Sequence, residues 1–162
     1  MNIKAKKQDW RNIKLLVLDF DGVMTNDLVY IDEHGKNLVR CSRSDGLGIA
    51  LVKQKGVKVA VISRENNPVV KARCRKLKIP AFTGVENKIK VLERLVRIYR
   101  IKAKHVCYIG NDITDIDCVK FAGIGCAVNN SHPLLLSNSG YVTKNKGGEG
   151  AIREICDLIL RK

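Results

Sequence analysis

KLLVLDFDGVMT, residues 14–25, decides the fold of this chain, because an apolar run ends there in two carboxylates and a glycine. Such a run is typical of a buried strand in a parallel sheet whose two faces are both covered. Asp19 and Asp21 then follow the carboxyl end of the strand, where ligands bind in open α/β sheets. Alternation along the backbone turns both acids the same way, and a bound Mg²⁺ would offset their repulsion. The alternative is a solvated turn, since Asp and Gly are common in turns.

The length predicts a single domain over residues 1–162, which can bury roughly 70% of its unfolded surface. The apolar runs are far shorter than the roughly 20 residues of a membrane-spanning helix, and residues 1–7 lack the apolar core of a signal peptide. We therefore expect a cytoplasmic protein with no membrane partner. Six cysteines without a Cys-x-x-Cys pair indicate buried free thiols in a reducing compartment, with a zinc site or a thiol nucleophile as the alternative.

The formal net charge of +14 could reflect nucleic acid, an anionic surface or a polyanionic small substrate as the partner. The basic residues are spread over residues 4–7, 71–78, 88–104 and 144–162, and no recognisable nucleic-acid module accompanies them. We expect most of this charge to lie on solvated helix faces, and we predict no nucleic-acid partner.

Short apolar runs alternate with helical patterns along the chain, which predicts a doubly wound, mostly parallel α/β sheet. Ser44 or Asp45 is expected to cap the first helix. Residues 28–40 predict a β-hairpin, which would be a flap over the two acids or a plain surface hairpin. Further strands are predicted at 57–62, 79–82, 105–109, 123–128 and 140–143, and helices at 47–55, 69–77, 88–99, 113–121 and 151–160.

Polar residues follow the other predicted strands at the same edge of the sheet. Ser63 follows one strand, and Asp112 with Asp115 follows another. Lys88 begins a helix, where its charge opposes the helix dipole, so that a bound or buried anion would explain it. The alternatives are a solvated side chain for Lys88 and a turn or helix cap for Ser63. Their convergence with the first two acids predicts one site.

Such a group of side chains could transfer a phosphoryl group. Carboxylates hold Mg²⁺ while leaving positions for water and phosphate oxygens, and Ser63 and Lys88 would bind the remaining phosphate oxygens. Asp19 would be the nucleophile that accepts the phosphoryl group. Asp21 would protonate the leaving alkoxide and then take a proton from the attacking water.

Four motifs carry a resemblance to a known family: DFDGVMT at 19–25, SDGLGI at 44–49, GNDITD at 110–115, and HPL at 132–134 followed by GGEGAIRE at 147–154. On these motifs the chain resembles the haloacid dehalogenase superfamily of phosphohydrolases over nearly its whole length. More closely, it resembles the branch of 3-deoxy-D-manno-octulosonate 8-phosphate phosphatases and nonulosonate (KDN or sialate) 9-phosphate phosphatases. This branch includes phosphatase-like domains attached to CMP-sialate synthetases.

The resemblance implies a set of metal ligands and supporting residues. The ligands would be Asp19, Asp112 and the backbone carbonyl of Asp21, and the supporting residues Asn111 and Asp115. The resemblance also implies that the chain has no large cap domain. It further implies a homotetramer, in which the hairpin and the tail at 146–162 reach the site of a neighbouring subunit.

Three departures from the octulosonate phosphatases bear on the metal site, at Asn111, and on the substrate. Asn111 replaces an aspartate, and Glu149 replaces an arginine of the tail, where it would repel a substrate carboxylate. SRE at residues 63–65 replaces Thr-Gly-Arg, and Glu65 with Lys76 resembles the nonulosonate phosphatases instead. Arg64, Glu65 and Lys76 are therefore expected to bind substrate, with ordinary surface charge as the alternative for the last two.

The expected function is Mg²⁺-dependent removal of the terminal phosphate from a 2-keto-3-deoxy sugar acid through an aspartyl-phosphate intermediate. Glu65 and Lys76 favour a nine-carbon acid, while the resemblance of the last thirty residues keeps the eight-carbon acid open. The alternative from another class is a non-catalytic oligomerisation module linked to CMP-sialate synthesis.

Overall fold

A computed structural model describes residues 9–161 of the chain. The predicted basic start at residues 4–7 and Lys162, the last residue of the predicted tail, lie outside the described residues. The longest helix within residues 9–161 has 12 residues, and none there is long and apolar enough to cross a bilayer.

A six-stranded parallel sheet forms the centre of the fold, as the sequence predicts. The eight strands within residues 9–161 are β1 (Leu15–Leu18), β2 (Thr25–Ile31), β3 (Asn37–Cys41), β4 (Lys58–Ile62), β5 (Ala81–Phe82), β6 (Val106–Gly110), β7 (Ile124–Ala127) and β8 (Tyr141–Val142). The strand order of the sheet is β5-β4-β1-β6-β7-β8, and each neighbouring pair is parallel. Because β4 and β6 flank β1 on opposite sides, the strand order reverses there and leaves a crevice at the carboxyl ends.

Helices cover both faces of this sheet. They are α1 (Arg43–Gln54), α2 (Pro68–Leu77), α3 (Lys88–Ile98), α4 (Ile116–Phe121), α5 (Pro133–Asn138) and α6 (Ala151–Leu160). Alternation along β1 sends Leu16 and Leu18 into the core with α1, α2 and α6, and Leu15 and Val17 into the core with α3, α4 and α5. All four side chains are fully buried, and each contributes about 1.5–3 kcal/mol by leaving water. The strand that carries the two acids is therefore firmly held.

The predicted hairpin is present between β1 and α1. β2 and β3 pair antiparallel as a separate two-stranded sheet, which begins at Thr25, earlier than predicted. Its outer surface is apolar and exposed, as at Leu28 (64% exposed) and Tyr30 (68% exposed). Within the described residues this hairpin is the whole insertion between β1 and α1, so it takes the place of a cap domain.

Two local predictions were wrong. The first helix begins at Arg43, and Ser42 is its N-cap, in place of Ser44 or Asp45. Asp45 instead lies buried inside α1 and accepts a hydrogen bond from the backbone N–H of Arg153 at 2.8 Å, which joins α1 to α6. The predicted helix at 113–121 is a 3₁₀ turn at Ile113–Asp115 followed by α4.

The six cysteines are free, and five of them are buried. This agrees with the prediction that they are small core residues of a protein without disulfide bonds.

Candidate active site

An open cavity of about 220 Å³ lies at the carboxyl ends of β1, β4 and β6. The predicted site residues that line it are Asp19, Asp21, Ser63, Arg64, Glu65, Lys88, Asn111 and Asp112. Asp27 and Thr114 also line this cavity, and sequence reasoning did not single them out. The structure therefore brings together eight of the ten side chains that the sequence proposed, from four separate segments.

Asp19 is held at the end of β1 with 6% of its surface exposed. Its backbone N–H donates to the carbonyl of Ile109 at 3.0 Å, and its Oδ1 accepts from the backbone N–H of Phe20 at 2.7 Å. Burial raises the pKa of Asp19 to about 8, with the Asp115 carboxylate adding to the effect and Lys88 opposing it. The carboxyl group is thus fixed in direction, and it depends on a neighbouring cation for its charge.

Lys88 supplies that cation from the first turn of α3. Its Nζ lies 2.9 Å from Asp19 Oδ1 and 2.8 Å from Asp115 Oδ1, and its side chain is 3% exposed. Burial lowers the pKa of Lys88, but the two carboxylates outweigh it and raise the pKa overall. The alternative of a solvated lysine is therefore wrong, and the unfavourable helix position is explained by two buried acids.

Asp115 lies behind the cavity and is fully buried. Besides Lys88, its Oδ1 accepts from the Tyr108 hydroxyl at 2.7 Å. Its Oδ2 accepts from the backbone N–H groups of Asn111 at 3.0 Å and Asp112 at 3.3 Å. Asp115 thereby fixes both the loop after β6 and the lysine. Tyr108 has the pattern of a core residue in an apolar strand, so no sequence pattern indicated this bond.

The loops after β1 and β6 touch at Gly22 and Asn111. Gly22 has φ +74°, and a Cβ on it would lie 1.9 Å from Asn111 Nδ2. The backbone N–H of Gly22 also donates to Thr25 Oγ1 at 3.1 Å, which closes the turn. Glycine is thus required both for the turn and for the approach of the second loop.

The glycines of the tail pack beneath the same turn. A Cβ on Gly147 would lie 1.7 Å from the carbonyl oxygen of Gly22, and the N–H of Gly148 donates to the carbonyl of Val23 at 2.9 Å. Glu149 follows and pairs with Arg40 on β3, with 2.6 Å between Oε1 and Nη2. This part of the tail therefore supports the loop of its own chain and joins it to the hairpin.

Ser63 is buried at the end of β4, with 1% of its surface exposed. Its Oγ accepts from the backbone N–H of Glu65 at 3.1 Å, which is the turn that the sequence left open as an alternative. That bond does not use the hydroxyl proton of Ser63, which remains for an anion in the cavity. Ser63 can therefore both close this turn and donate a hydrogen bond to a phosphate.

Three carboxyl groups crowd the mouth of the cavity: Asp21, Asp27 and Glu65. Burial raises the pKa of Asp21, and the charges of Glu65 and Asp27 raise it further. The pKa of Asp27 is raised by burial and then by Asp112. Asp27 has φ +67°, a left-handed conformation that is unusual outside glycine, although Asn and Asp adopt it more readily than other residues.

The donor set fits a hard divalent cation. Asp19, Asp21 and Asp112 face one cavity with an excess of negative charge, and oxygen ligands are those that Mg²⁺ prefers. Within residues 9–161, no three His, Cys, Asp or Glu side chains already stand close enough to form a closed metal cluster. Mg²⁺ commonly keeps several waters in proteins and takes further oxygens from a bound phosphate.

Comparison with curated proteins gives the family of the chain. A family model of haloacid dehalogenase-like hydrolases matches residues 83–155. The chain is 37% identical over 150 residues to 3-deoxy-D-manno-octulosonate 8-phosphate phosphatase of Escherichia coli strain K12, and the match covers 92% of this chain and 80% of that protein. The chain belongs to the haloacid dehalogenase-like hydrolases.

Solved structures of haloacid dehalogenase-like hydrolases superpose closely on this one. One from Streptomyces avermitilis has 40% identity and a TM-score of 0.92, covering 96% of this chain and 90% of that chain. The octulosonate phosphatase of Moraxella catarrhalis, solved with magnesium, phosphate and its sugar acid, has 33% identity and a TM-score of 0.90. That match covers 93% of this chain and 87% of that chain.

In this haloacid dehalogenase-like hydrolase, a second compartment of about 330 Å³ adjoins the first beneath the hairpin. The two share Asp21, Asp27 and Glu65, and Val29 and Val39 of the hairpin contribute apolar wall. Lys76 is exposed on α2 and lines neither compartment. Of the three residues predicted to bind substrate, the structure places Arg64 and Glu65 at the cavity and leaves Lys76 outside.

Proposed function

We propose that this chain is a Mg²⁺-dependent phosphatase that removes the terminal phosphate of a 2-keto-3-deoxy sugar acid, with 3-deoxy-D-manno-octulosonate 8-phosphate as the first candidate. One observation carries the proposal: Asp19 and Lys88 lie in contact in a cavity that Ser63 and Asp112 also line. The names of the relatives and the ligands of the Moraxella structure support this choice of substrate and metal.

The residues have distinct tasks in this proposal. Asp19, fixed by the Phe20 N–H, attacks the phosphorus and becomes an aspartyl phosphate, while Lys88 and Ser63 stabilise charge on the phosphate oxygens. Asp21 lines both compartments, so it stands between the phosphate and the sugar, where it can protonate the leaving oxygen and later activate water. Mg²⁺, held by Asp19, Asp112 and the Asp21 carbonyl, would neutralise phosphate charge.

The second compartment supports a sugar as the leaving group. It combines apolar wall from Val29 and Val39 with oxygen-bearing side chains that can bind hydroxyl groups. Glu65 lies at its entrance, which supports the nine-carbon acid as a second candidate, whereas the position of Lys76 lends that candidate no support. We therefore place the eight-carbon acid first.

The assembly of the chain is part of the proposal. We propose one domain over residues 1–162, a cytoplasmic protein, and a homotetramer. The exposed apolar side chains of the hairpin, such as Leu28, Tyr30 and Ile31, support an oligomer because a contiguous apolar surface of this kind favours burial against another protein. Analytical ultracentrifugation of the purified chain tests the homotetramer directly.

Steady-state kinetics on both sugar acid phosphates tests the function. We expect turnover with Mg²⁺, none with EDTA, and a loss of more than about 10⁴-fold in kcat for Asp19→Asn, as for other nucleophiles. Glu65→Arg should change the ratio of kcat/KM between the two acids, while the control Lys76→Ala, which removes an exposed charge outside both compartments, should leave it unchanged. Wild-type protein that binds Mg²⁺ and product but turns over neither acid would contradict the proposal.

A further inference from the structure

A second cavity lies at the opposite edge of the sheet from the candidate active site. It has a volume of about 490 Å³ and lies where β1 and β4 begin and where α1 and α3 end. Five basic side chains line it: Arg11, Lys14, Lys55, Lys58 and Arg100. Nothing in the proposed phosphatase reaction uses these residues.

The positive charge of this cavity is not compensated by acids. The described residues that line it include no Asp or Glu, and none of the five cations forms an ion pair within residues 9–161. The carboxyl ends of α1 and α3 each contribute about half a negative charge, which amounts to roughly one unit against five. The helix dipoles therefore offset only part of the positive charge of this cavity.

Backbone hydrogen bonds of the sheet fix the main chain of two of these residues, Lys14 and Lys58, whose side chains are exposed. The N–H of Lys58 donates to the carbonyl of Lys14 at 2.9 Å, and the N–H of Lys14 donates to the carbonyl of His105 at 2.8 Å. Ile13 and Val57 are buried beside them, with 3% and 7% of their surfaces exposed. The site is thus built on the rigid start of the sheet and differs from a run of lysines along a solvated helix.

An aromatic ring gives the cavity a second kind of wall. Tyr99, the C-cap residue that follows α3, lines the cavity, and Lys58 Nζ lies 4.8 Å from the centre of its ring. Ile101 adds apolar surface next to it. A ligand that matches this surface carries several negative charges and a flat or apolar group.

The two sites are too far apart to share one small ligand. Lys14 precedes β1 and Asp19 follows it, so the four residues of β1 separate them, and the five steps from Lys14 to Asp19 span about 16 Å at roughly 3.3 Å per step. A molecule bound among the five cations therefore leaves the candidate active site open.

We propose that this cavity binds a small molecule with two or more linked phosphate groups and an attached ring, of which a nucleoside diphosphate is the simplest example. The phosphates would lie among the basic side chains, and the ring would pack on Tyr99 and Ile101. The volume is within the range of sites for ligands of this size. This site is independent of the proposed phosphatase activity.

Calorimetry with ADP as the probe tests the proposal, using the full chain in EDTA, which withholds the divalent cation that the candidate active site would need to bind a phosphate. We expect saturable binding at one site, with pyrophosphate binding more weakly and adenosine more weakly still. The double variant Lys14→Ala/Lys58→Ala should raise the Kd for ADP at least tenfold. Its hydrolysis of p-nitrophenyl phosphate with Mg²⁺, or its circular dichroism if that activity is absent, should match wild type and so show that it is folded.

A matched control separates this site from general attraction by a basic protein. Lys71→Ala/Lys120→Ala removes two exposed lysines from α2 and α4 and should leave the Kd for ADP unchanged. Equal weakening in both double variants, absence of ADP binding, or stronger binding of a single-stranded oligonucleotide than of ADP would each overturn the proposal. If pyrophosphate binds as tightly as ADP, the ring contact with Tyr99 is refuted.

Discussion

Replacing Lys88 by methionine should strongly destabilise the protein while leaving its fold intact. The ammonium group lies within 2.9 Å of Asp19 and 2.8 Å of Asp115, and the three side chains are 3%, 9% and 0% exposed. Methionine fills similar space but leaves two buried carboxyl groups without their cation. Breaking a buried pair in this way costs about 3–5 kcal/mol, because an uncompensated charge remains.

Protonation of Asp19 sets the pH dependence of this loss. The pKa of Asp19 is raised by burial to about 8 in the wild type although Lys88 lowers it, so it should be higher still in Lys88→Met. Both proteins hold the proton of Asp19 at pH 7, whereas above about pH 8 only the folded variant still does. An acid whose pKa is higher in the folded protein takes up a proton on folding, so raising the pH weakens the variant more than the wild type. The destabilisation by Lys88→Met should therefore grow as the pH rises from 7 to 9, by up to about 1.4 kcal/mol per pH unit above pH 8.

Urea unfolding in EDTA, followed by circular dichroism at both pH values, measures this effect. Lys90→Met is the matched control, because Lys90 is exposed in the same turn of α3, and it should change the free energy of unfolding by less than about 0.5 kcal/mol. A loss below about 1 kcal/mol for Lys88→Met at pH 7 would refute the reasoning. So would a loss that shrinks as the pH rises.

Two further predictions concern the turn at Gly22 and the hydrogen bonds of Glu154. Gly22→Ala should cost about 1–2 kcal/mol for its φ of +74°, and more for the clash with Asn111, so Gly22→Ala/Asn111→Ala should recover stability only in part in urea unfolding. Burial raises the pKa of Glu154, but hydrogen bonds from two backbone N–H groups and two side chains outweigh it and lower the pKa overall. Its stabilisation is thus complete above about pH 4.5 and is lost as the pH falls through the lowered pKa, so the difference in Tm between wild type and Glu154→Gln should be smaller at pH 3 than at pH 7.

The sheet and the convergence of the site were predictable because they depend on local pattern and a topological rule. An apolar run followed by acids identifies a strand end in any sequence, and parallel strands bring such ends to one edge. The unusual position of Lys88 was also visible in the sequence, since the charge of a lysine at a helix start opposes the helix dipole and a nearby anion would offset it. Its partners were not all predictable, because Asp19 and Asp115 are distant from it in sequence.

Features that depend on tertiary packing could not be predicted from the sequence. The start of α1 was misplaced because Ser44 and Asp45, which precede Gly46, are typical N-cap residues, whereas the helix begins earlier with Ser42 as its cap. The first turns of α1 pack closely against neighbouring side chains at Gly46 and Gly48. A Cβ on Gly46 would lie 3.1 Å from Arg73 Nη2, and one on Gly48 would lie 3.0 Å from the Arg153 side chain. Asp27 was missed for a related reason: its left-handed backbone depends on the turn that Thr25 closes, which is visible only in three dimensions.

The internal support of the site explains why its acids can stay so close together. Asp115 contributes nothing to the cavity wall, yet it bonds Lys88 directly and the loop of Asp112 through backbone N–H groups. One buried carboxylate thus positions both a cation that balances Asp19 and a carboxylate that faces it. Because these groups are held from behind, several carboxylates stay close together at the cavity beside Arg64 and Lys88, and a divalent cation would relieve their repulsion. Binding of such a cation would therefore also balance the charge of the site.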